Sequence, residues 1–421
     1  MNLSRRISTL KPSSTVAVMN RAKALKAQGV DVLNFSAGEP DFNSPAPAKA
    51  ALIKSIEANN TKYIEAAGDP ESRELIARIL GEKNNIPNVT KDHVFITAGV
   101  KMALYLTMQA LFDVEANAAD QQEFLLPVPA WVSFAPIAEL AGAKVVELPT
   151  TTASGFKITP EQLKKAITPK SRVLLMNSPS NPCSTMYTPD ELRAIAAVVA
   201  EAAKTIAPNL IIVSDELYQN IVFGDVPFMS IGSIPSVAER TITINGPGKS
   251  FAMTGWRLGW ASGSGDFGKT FVAALAKLQG QSVTCVPAFS LAGMRAALTE
   301  CDAELETMRK AFASRAELIY GLLKGVSGVE VARPIGAFYV FPQVSAHYGK
   351  KSKGTASVPG RAINTAADFA GALLDEHQMA VVPGEDFGSM GKNHIRMSFS
   401  CSEDQIRAGV ERLKAFLAGL S

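Results

Sequence analysis

The chain is poor in the residues that build metal centres and disulfide frameworks. Its 421 residues include four cysteines and four histidines. Cys183, Cys285, Cys301 and Cys401 lie far apart with no C-x-x-C pair, which excludes a zinc ribbon or disulfide scaffold and fits a reducing compartment. His93, His347, His377 and His394 are also scattered, and without an H-E-x-x-H nothing supports a metal site. Net charge is nearly absent. The 42 basic and 39 acidic residues leave +3, too close to balance to point to a nucleic-acid or membrane-surface partner. No uninterrupted apolar run approaches the ~18 residues of a membrane helix. Ser4-Arg5-Arg6 looks like the start of a twin-arginine signal, but Thr9-Leu10-Lys11-Pro12-Ser13-Ser14 follows in place of an apolar core. The expected location is the cytoplasm. Internal repeats and low-complexity tracts are missing too.

What the chain does have is core material. It is 47% hydrophobic and 19% charged, which excludes disorder, and at roughly 100–200 residues per domain its length suggests two or three domains. Short, near-continuously apolar runs at Val94–Thr97, Glu123–Pro127, Lys144–Leu148, Ser171–Asn177, Leu210–Ser214, Thr241–Ile244 and Arg257–Ala261 read as strands of a buried, mostly parallel sheet. Amphipathic stretches alternate with them, clearest at Leu192–Ala203 behind Thr188-Pro189-Asp190-Glu191. The alternation predicts a doubly wound α/β domain over residues 45–290. A smaller α+β unit is expected from residues 1–44 and 291–421. It would contain a long connecting helix over about 288–324, a strand pair (Val329–Arg333 with Ala337–Pro342), further strands at Met379–Val382 and His394–Ser398, and a closing helix at Glu403–Leu417. The basic stretch Tyr348–Arg361 reads as a solvated loop.

Two glycine-rich motifs resemble phosphate loops and fail on context. Gly263-Ser264-Gly265-Asp266-Phe267-Gly268 satisfies G-x-G-x-x-G, but no acidic residue occurs from Lys269 to Thr299 to bind a ribose. Gly246-Pro247-Gly248-Lys249-Ser250 has Thr243 where a phosphate loop needs its first glycine, and no helical pattern follows. Lys249 still needs an explanation, because a lysine in a turn just after a buried strand is not an ordinary solvated lysine.

A site built on pyridoxal phosphate would supply one. Such a site needs a lysine for the aldehyde, a carboxylate at the pyridine nitrogen, amides at a helix start with an arginine for the phosphate, and a second arginine for the substrate carboxylate. Each has a candidate at or just beyond the C-terminal end of a strand. The motifs that carry them are Ser36-Ala37-Gly38-Glu39-Pro40-Asp41-Phe42, Ser178-Pro179-Ser180-Asn181-Pro182, Ser214-Asp215-Glu216-Leu217-Tyr218, Lys249 with Met253-Thr254-Gly255-Trp256-Arg257-Leu258-Gly259, Val382-Pro383-Gly384 and Ile395-Arg396-Met397-Ser398. On these, from about Leu10 to the C-terminus, the chain resembles the class I/II aminotransferases of pyridoxal phosphate fold type I, in particular the bacterial-type aspartate aminotransferases.

The resemblance implies a role for each matching position. Lys249 would hold the cofactor covalently and serve as acid and base for the proton shift. Asp215 would pair with the ring nitrogen, Tyr218 and Asn181 with the ring hydroxyl oxygen, and Trp131 would stack on the ring. Gly99, Val100 and Lys101 with Arg257 would hold the phosphate. Arg396 would clamp the substrate carboxylate, with Gly38 and Asn181 beside it. Tyr63 would reach the neighbouring subunit's cofactor, which implies a homodimer with shared sites. Plainer readings stand beside these: Asp215 as a cap, Trp131 as core packing, Arg396 paired with Glu385 or Asp386, and Tyr63 as ordinary packing.

The chain departs from the family pattern at Gly248, where a phosphate donor is usual, at Cys183-Ser184, at Ala130 and at Ser72. The resemblance further implies ping-pong transfer between amino acids and 2-oxo acids. Aspartate with 2-oxoglutarate is favoured, and an aromatic or prephenate variant or a C–S lyase are the alternatives. A dicarboxylate needs a second cation. No arginine occurs in Leu278–Met294, where animal-type relatives carry one, which leaves Lys11 and Lys101.

Overall fold

The computed structural model describes residues 4, 7, 14–115, 117–356 and 358–421. Seven strands form the main sheet: β1 (Val94–Thr97), β2 (Glu123–Val128), β3 (Lys144–Pro149), β4 (Ser171–Asn177), β5 (Ile211–Asp215), β6 (Thr241–Asn245) and β7 (Gly259–Ser262). Their spatial order is β1-β7-β6-β5-β4-β2-β3. Strands β2 to β6 pair in parallel, and β7 runs antiparallel between β6 and β1. The fold is α/β with a mostly parallel sheet, as the alternation of apolar runs predicts.

The inner strands are near-continuously apolar because helices cover both faces, whereas the edge strand β3 carries exposed Lys144 and Glu147. Phe124 and Leu126 pack with Leu106 and Leu275 on one side. Leu125 between them joins Leu192, Ile195 and Val199 on the other. This is the period-two geometry of a strand buried twice, and each such side chain contributes about 1.5–3 kcal/mol. The helix Pro189–Thr205 starts as its sequence requires. The Thr188 hydroxyl accepts from the Glu191 N–H (3.2 Å), and the Glu191 carboxylate accepts from the Thr188 N–H (2.7 Å).

Strand direction decides what reaches which edge. Strands β1, β2, β4, β5 and β6 all end on one edge, at Thr97, Val128, Asn177, Asp215 and Asn245. Because β7 runs the other way, it brings its preceding residue Arg257 to that edge and sends the G-x-G-x-x-G motif to the opposite one. There the glycines serve packing: a Cβ on Gly263 would lie 2.8 Å from the Gly268 Cα.

A second, three-stranded antiparallel sheet holds β8 (Tyr339–Val340), β9 (Val382–Pro383) and β10 (Ile395–Ser398), with β10 in the centre. Phe312, Phe369, Val410 and Leu413 close over it, and Leu33 and Phe35 enter the same core. Three local expectations are corrected. The stretch 288–324 is two helices, Ala288–Glu300 and Asp302–Leu323. The break is at Cys301 (φ −116°, ψ 29°), which turns inward to pack with Phe251 and Met253. Val329–Arg333 forms no strand; only Glu330 bridges to Gln343, because β8 pairs with β10 instead. Met379–Val382 divides, with Met379–Ala380 pairing with Leu33–Asn34 and Val382 pairing with Arg396. Within the basic stretch, Ser352 Oγ and the Gly354 N–H donate to the buried Glu376 carboxylate, which ties that loop to the fold. Among the described residues no helix is long and apolar enough to cross a membrane.

Candidate active site

A cleft of about 250 Å³ opens at the edge where the parallel strands end. Asp215, the last residue of β5, lies on its floor, with Tyr218 one turn later and Asn181 from the loop after β4. Lys249 comes from a one-turn helix (Pro247–Ser250) behind β6. Val100, Lys101, Trp131 and Arg257 line one end, and Arg396 of β10 and Gly38 the other.

The first end is built for a dianion. Helix Val100–Leu111 starts at Gly99 with no side-chain cap. The Gly99 N–H turns back to the Thr97 carbonyl (2.7 Å), but the Val100 and Lys101 amides have no partner among the described residues and are open to an anion. Gly99 has φ +90°, and a Cβ there would stand 2.4 Å from the Arg257 guanidinium; only glycine lets that cation approach. Lys101 Nζ sits 4.8 Å over the Trp131 ring centroid, and its pKa is lowered by desolvation and by Arg257. Trp131 packs edge-on against Phe134 at 5.3 Å.

In the middle, Lys249 Nζ donates to the Gly38 carbonyl. Burial brings its pKa down to about 8, opposed by Glu39 and reinforced by Arg396 and Arg257. Asp215 is 4% exposed, and burial raises its carboxyl to about 7 against the pull of the Leu217 N–H and Lys249. It does cap the turn, accepting from Leu217 N–H at 3.1 Å. A protonated ring nitrogen would supply the cation that holds this buried carboxyl ionised.

At the other end Arg396 is 1% exposed. It donates to Asn181 Oδ1 (3.2 Å) and the Ser36 carbonyl (2.8 Å); among the described residues its Nε has no partner and no carboxylate lies within ion-pair distance. Glu385 accepts instead from the Ala367 N–H (3.0 Å). A buried guanidinium without a counter-ion is costly, and a ligand carboxylate satisfies it. The residues present therefore fit pyridoxal phosphate and an α-amino acid together.

Two candidates lie elsewhere. Tyr63 is 85% exposed and does not line the cleft, and Lys11 lies outside the described residues. Of the departures, Ser184 adopts φ 54° and uses its hydroxyl to accept from the Tyr339 N–H (2.9 Å). Ser72 is buried and accepts from Arg295 (2.8 Å), which also pairs with Asp69. Ala130 borders a small void of about 30 Å³ beside Asn181. A Cβ on Gly248 would meet nothing nearer than 3.8 Å. Tyr339, Thr254 and Phe134 also line the cleft, and Glu216 is buried directly behind Asp215. Thr254 and Glu216 stand inside motifs quoted above but carry no assigned role there, and Tyr339 and Phe134 lie among apolar residues where nothing local marks them.

Comparison with known proteins agrees with this chemistry. The family model described as aminotransferase class I and II matches residues 30–413. The aspartate aminotransferase of Bacillus subtilis is 37% identical over 418 residues, covering 99% of both chains. The aspartate/prephenate aminotransferase of Cereibacter sphaeroides is 37% identical over 420 residues, covering 100% of this chain and 99% of that one. The structure of Thermus thermophilus aspartate aminotransferase with maleate superposes with a TM-score of 0.87 at 34% identity, covering 99% of this chain and 100% of that one. With a lysine, a buried carboxyl, an open helix start and a buried arginine around one cleft, and full-length similarity to such enzymes, this chain belongs to the class I and II aminotransferases, fold type I enzymes that depend on pyridoxal phosphate.

Proposed function

We propose that this aminotransferase takes L-aspartate as donor and 2-oxoglutarate as acceptor. The observation that carries the reading is a further cation, Lys101, lining the same cleft as the buried Arg396. Arg396 is buried with no carboxylate beside it among the described residues, and Lys101 is partly desolvated over Trp131. A dicarboxylate satisfies both. Relatives carry aspartate in their names, and one structure was determined with maleate, itself a dicarboxylate.

When bound, pyridoxal phosphate supplies an aldehyde that takes up the amine and a ring that accepts electron density from the substrate's α-carbon. The residues divide the remaining work. Arg257 and the amides of Val100 and Lys101 hold the phosphate, the Gly99 N–H being given to the Thr97 carbonyl (2.7 Å), and Trp131 covers one ring face. Asp215 keeps the ring nitrogen protonated, and Tyr218 and Asn181 bind the ring hydroxyl oxygen. Arg396, Asn181 and the Gly38 backbone orient the α-carboxylate. Lys249 removes the α-proton and returns it one carbon away. With its pKa near 8 it can do both at neutral pH. Tyr63, exposed on its own protomer, reaches the cofactor of a second copy in a homodimer, and the scattered thiols suit the cytoplasm. The aromatic or prephenate variant draws support from the apolar side of the cleft, with Trp131, Phe134, Met253 and Leu258, and from the C. sphaeroides relative's name.

The test is the visible absorption of the purified protein before and after excess L-aspartate with no oxo acid. A yellow band that converts to the pyridoxamine form with aspartate, and that Lys249→Ala lacks, is the expected outcome. A band that converts only with phenylalanine overturns the substrate and keeps the transaminase. Pyruvate release from a β-thio amino acid such as L-cystine, with no oxo acid present, would instead indicate a C–S lyase.

A further inference from the structure

Tyr339 belongs to none of the motifs, yet it touches three parts of the site. Its hydroxyl lies 2.9 Å from that of Tyr218, with both side chains buried. Its ring faces the Arg396 guanidinium carbon at 4.7 Å. A Cβ added to Gly38 would meet the same hydroxyl at 3.2 Å. Its backbone is held from both sides, by pairing with Ser398 of β10 and by the Ser184 hydroxyl. Ser184 keeps a left-handed conformation that is unfavourable for a non-glycine residue, and the bond to Tyr339 is what its side chain contributes there.

We propose that Tyr339 is a positioning residue: its hydroxyl donates to Tyr218, leaving Tyr218's own proton to point into the cleft, and its ring is the face against which Arg396 is held. The direction of donation follows from electrostatics. The guanidinium against the Tyr339 ring favours negative charge on that phenol, so Tyr339 is the better donor of the pair. A hydroxyl that accepts one hydrogen bond donates its own more strongly. Tyr218 is thereby strengthened as a donor to the ring hydroxyl oxygen, and this inference rests on the role proposed above for Tyr218.

The experiment titrates the visible band of the pyridoxal phosphate-loaded protein against pH in wild type, Tyr339→Phe, Tyr339→Leu and Tyr218→Phe. A donor at the ring oxygen stabilises the less protonated form, so weakening it raises the midpoint. Tyr339→Phe is expected to raise the midpoint by roughly half a unit to one unit, the worth of one neutral hydrogen bond, with KM for L-aspartate little changed. Tyr339→Leu is expected to add a several-fold rise in KM as Arg396 loses its ring face. If Tyr218→Phe shifts the midpoint and Tyr339→Phe does not, the link is refuted while the role of Tyr218 stands. If neither shifts it, the role of Tyr218 and the link built on it both fall.

Discussion

Moving from pH 8 to pH 5 is expected to remove about 2 kcal/mol of stability through one side chain, His394. The imidazole stacks on Phe341 with ring centroids 4.7 Å apart and planes 4° from parallel, and Phe156 meets its edge at 5.7 Å. Burial lowers its pKa from 6.5 to about 4, opposed by the backbone of Met390 and Gly391. The unfolded chain therefore binds a proton below pH 6.5 that the folded chain refuses until about pH 4. Between those values the unfolded state gains the proton, so stability is complete above the upper one and is lost as pH falls towards the lower. At pH 5 the difference amounts to about 1.5 pH units, or about 2 kcal/mol, rising to about 3 kcal/mol below pH 4. His394→Phe keeps an aromatic ring in the stack and removes the titration. Guanidinium unfolding followed by tryptophan fluorescence, at pH 8 and pH 5, compares the two proteins. The variant is expected to lose about 2 kcal/mol less than wild type on acidification. Equal losses would show that the imidazole is hydrated or already protonated in the fold, and the reasoning would be wrong.

Two further outcomes follow from the cleft. Lys101→Met keeps the stem beside Trp131 and removes the charge, so kcat/KM for aspartate should fall roughly tenfold while that for phenylalanine changes little. An equal fall for both would count against Lys101 as the distal cation. Cofactor capture by Lys249 requires the neutral amine, so mixing cofactor-free protein with pyridoxal phosphate should give a rate of band appearance that rises with pH. Its half-maximum is expected near the lysine's lowered pKa of about 8, and a half-maximum above pH 10 would show that burial does not depress it.

Much of this protein is determined locally and can be read along the chain. Strands buried on both faces must be apolar at every position, so β1 and β4 stand out as continuous runs with abrupt polar ends. The Thr188–Glu191 box marks a helix start because both partners lie within one turn. Lys249, Asp215 and Arg396 announce themselves as charges set against buried strands, where a charge needs a reason. What the sequence cannot display is pairing between distant segments. That β7 runs antiparallel, and so brings Arg257 to the site and sends the glycine motif away from it, depends on which strands flank it. The break at Cys301 depends on a hydrophobic cluster drawn from three separate segments. Tyr339 meets Tyr218, Arg396 and Gly38 only after β8 docks on β10, and nothing in an apolar run of aromatic residues marks which ring will face the cleft. Local chemistry selects the residues able to act, and long-range packing decides which of them act together.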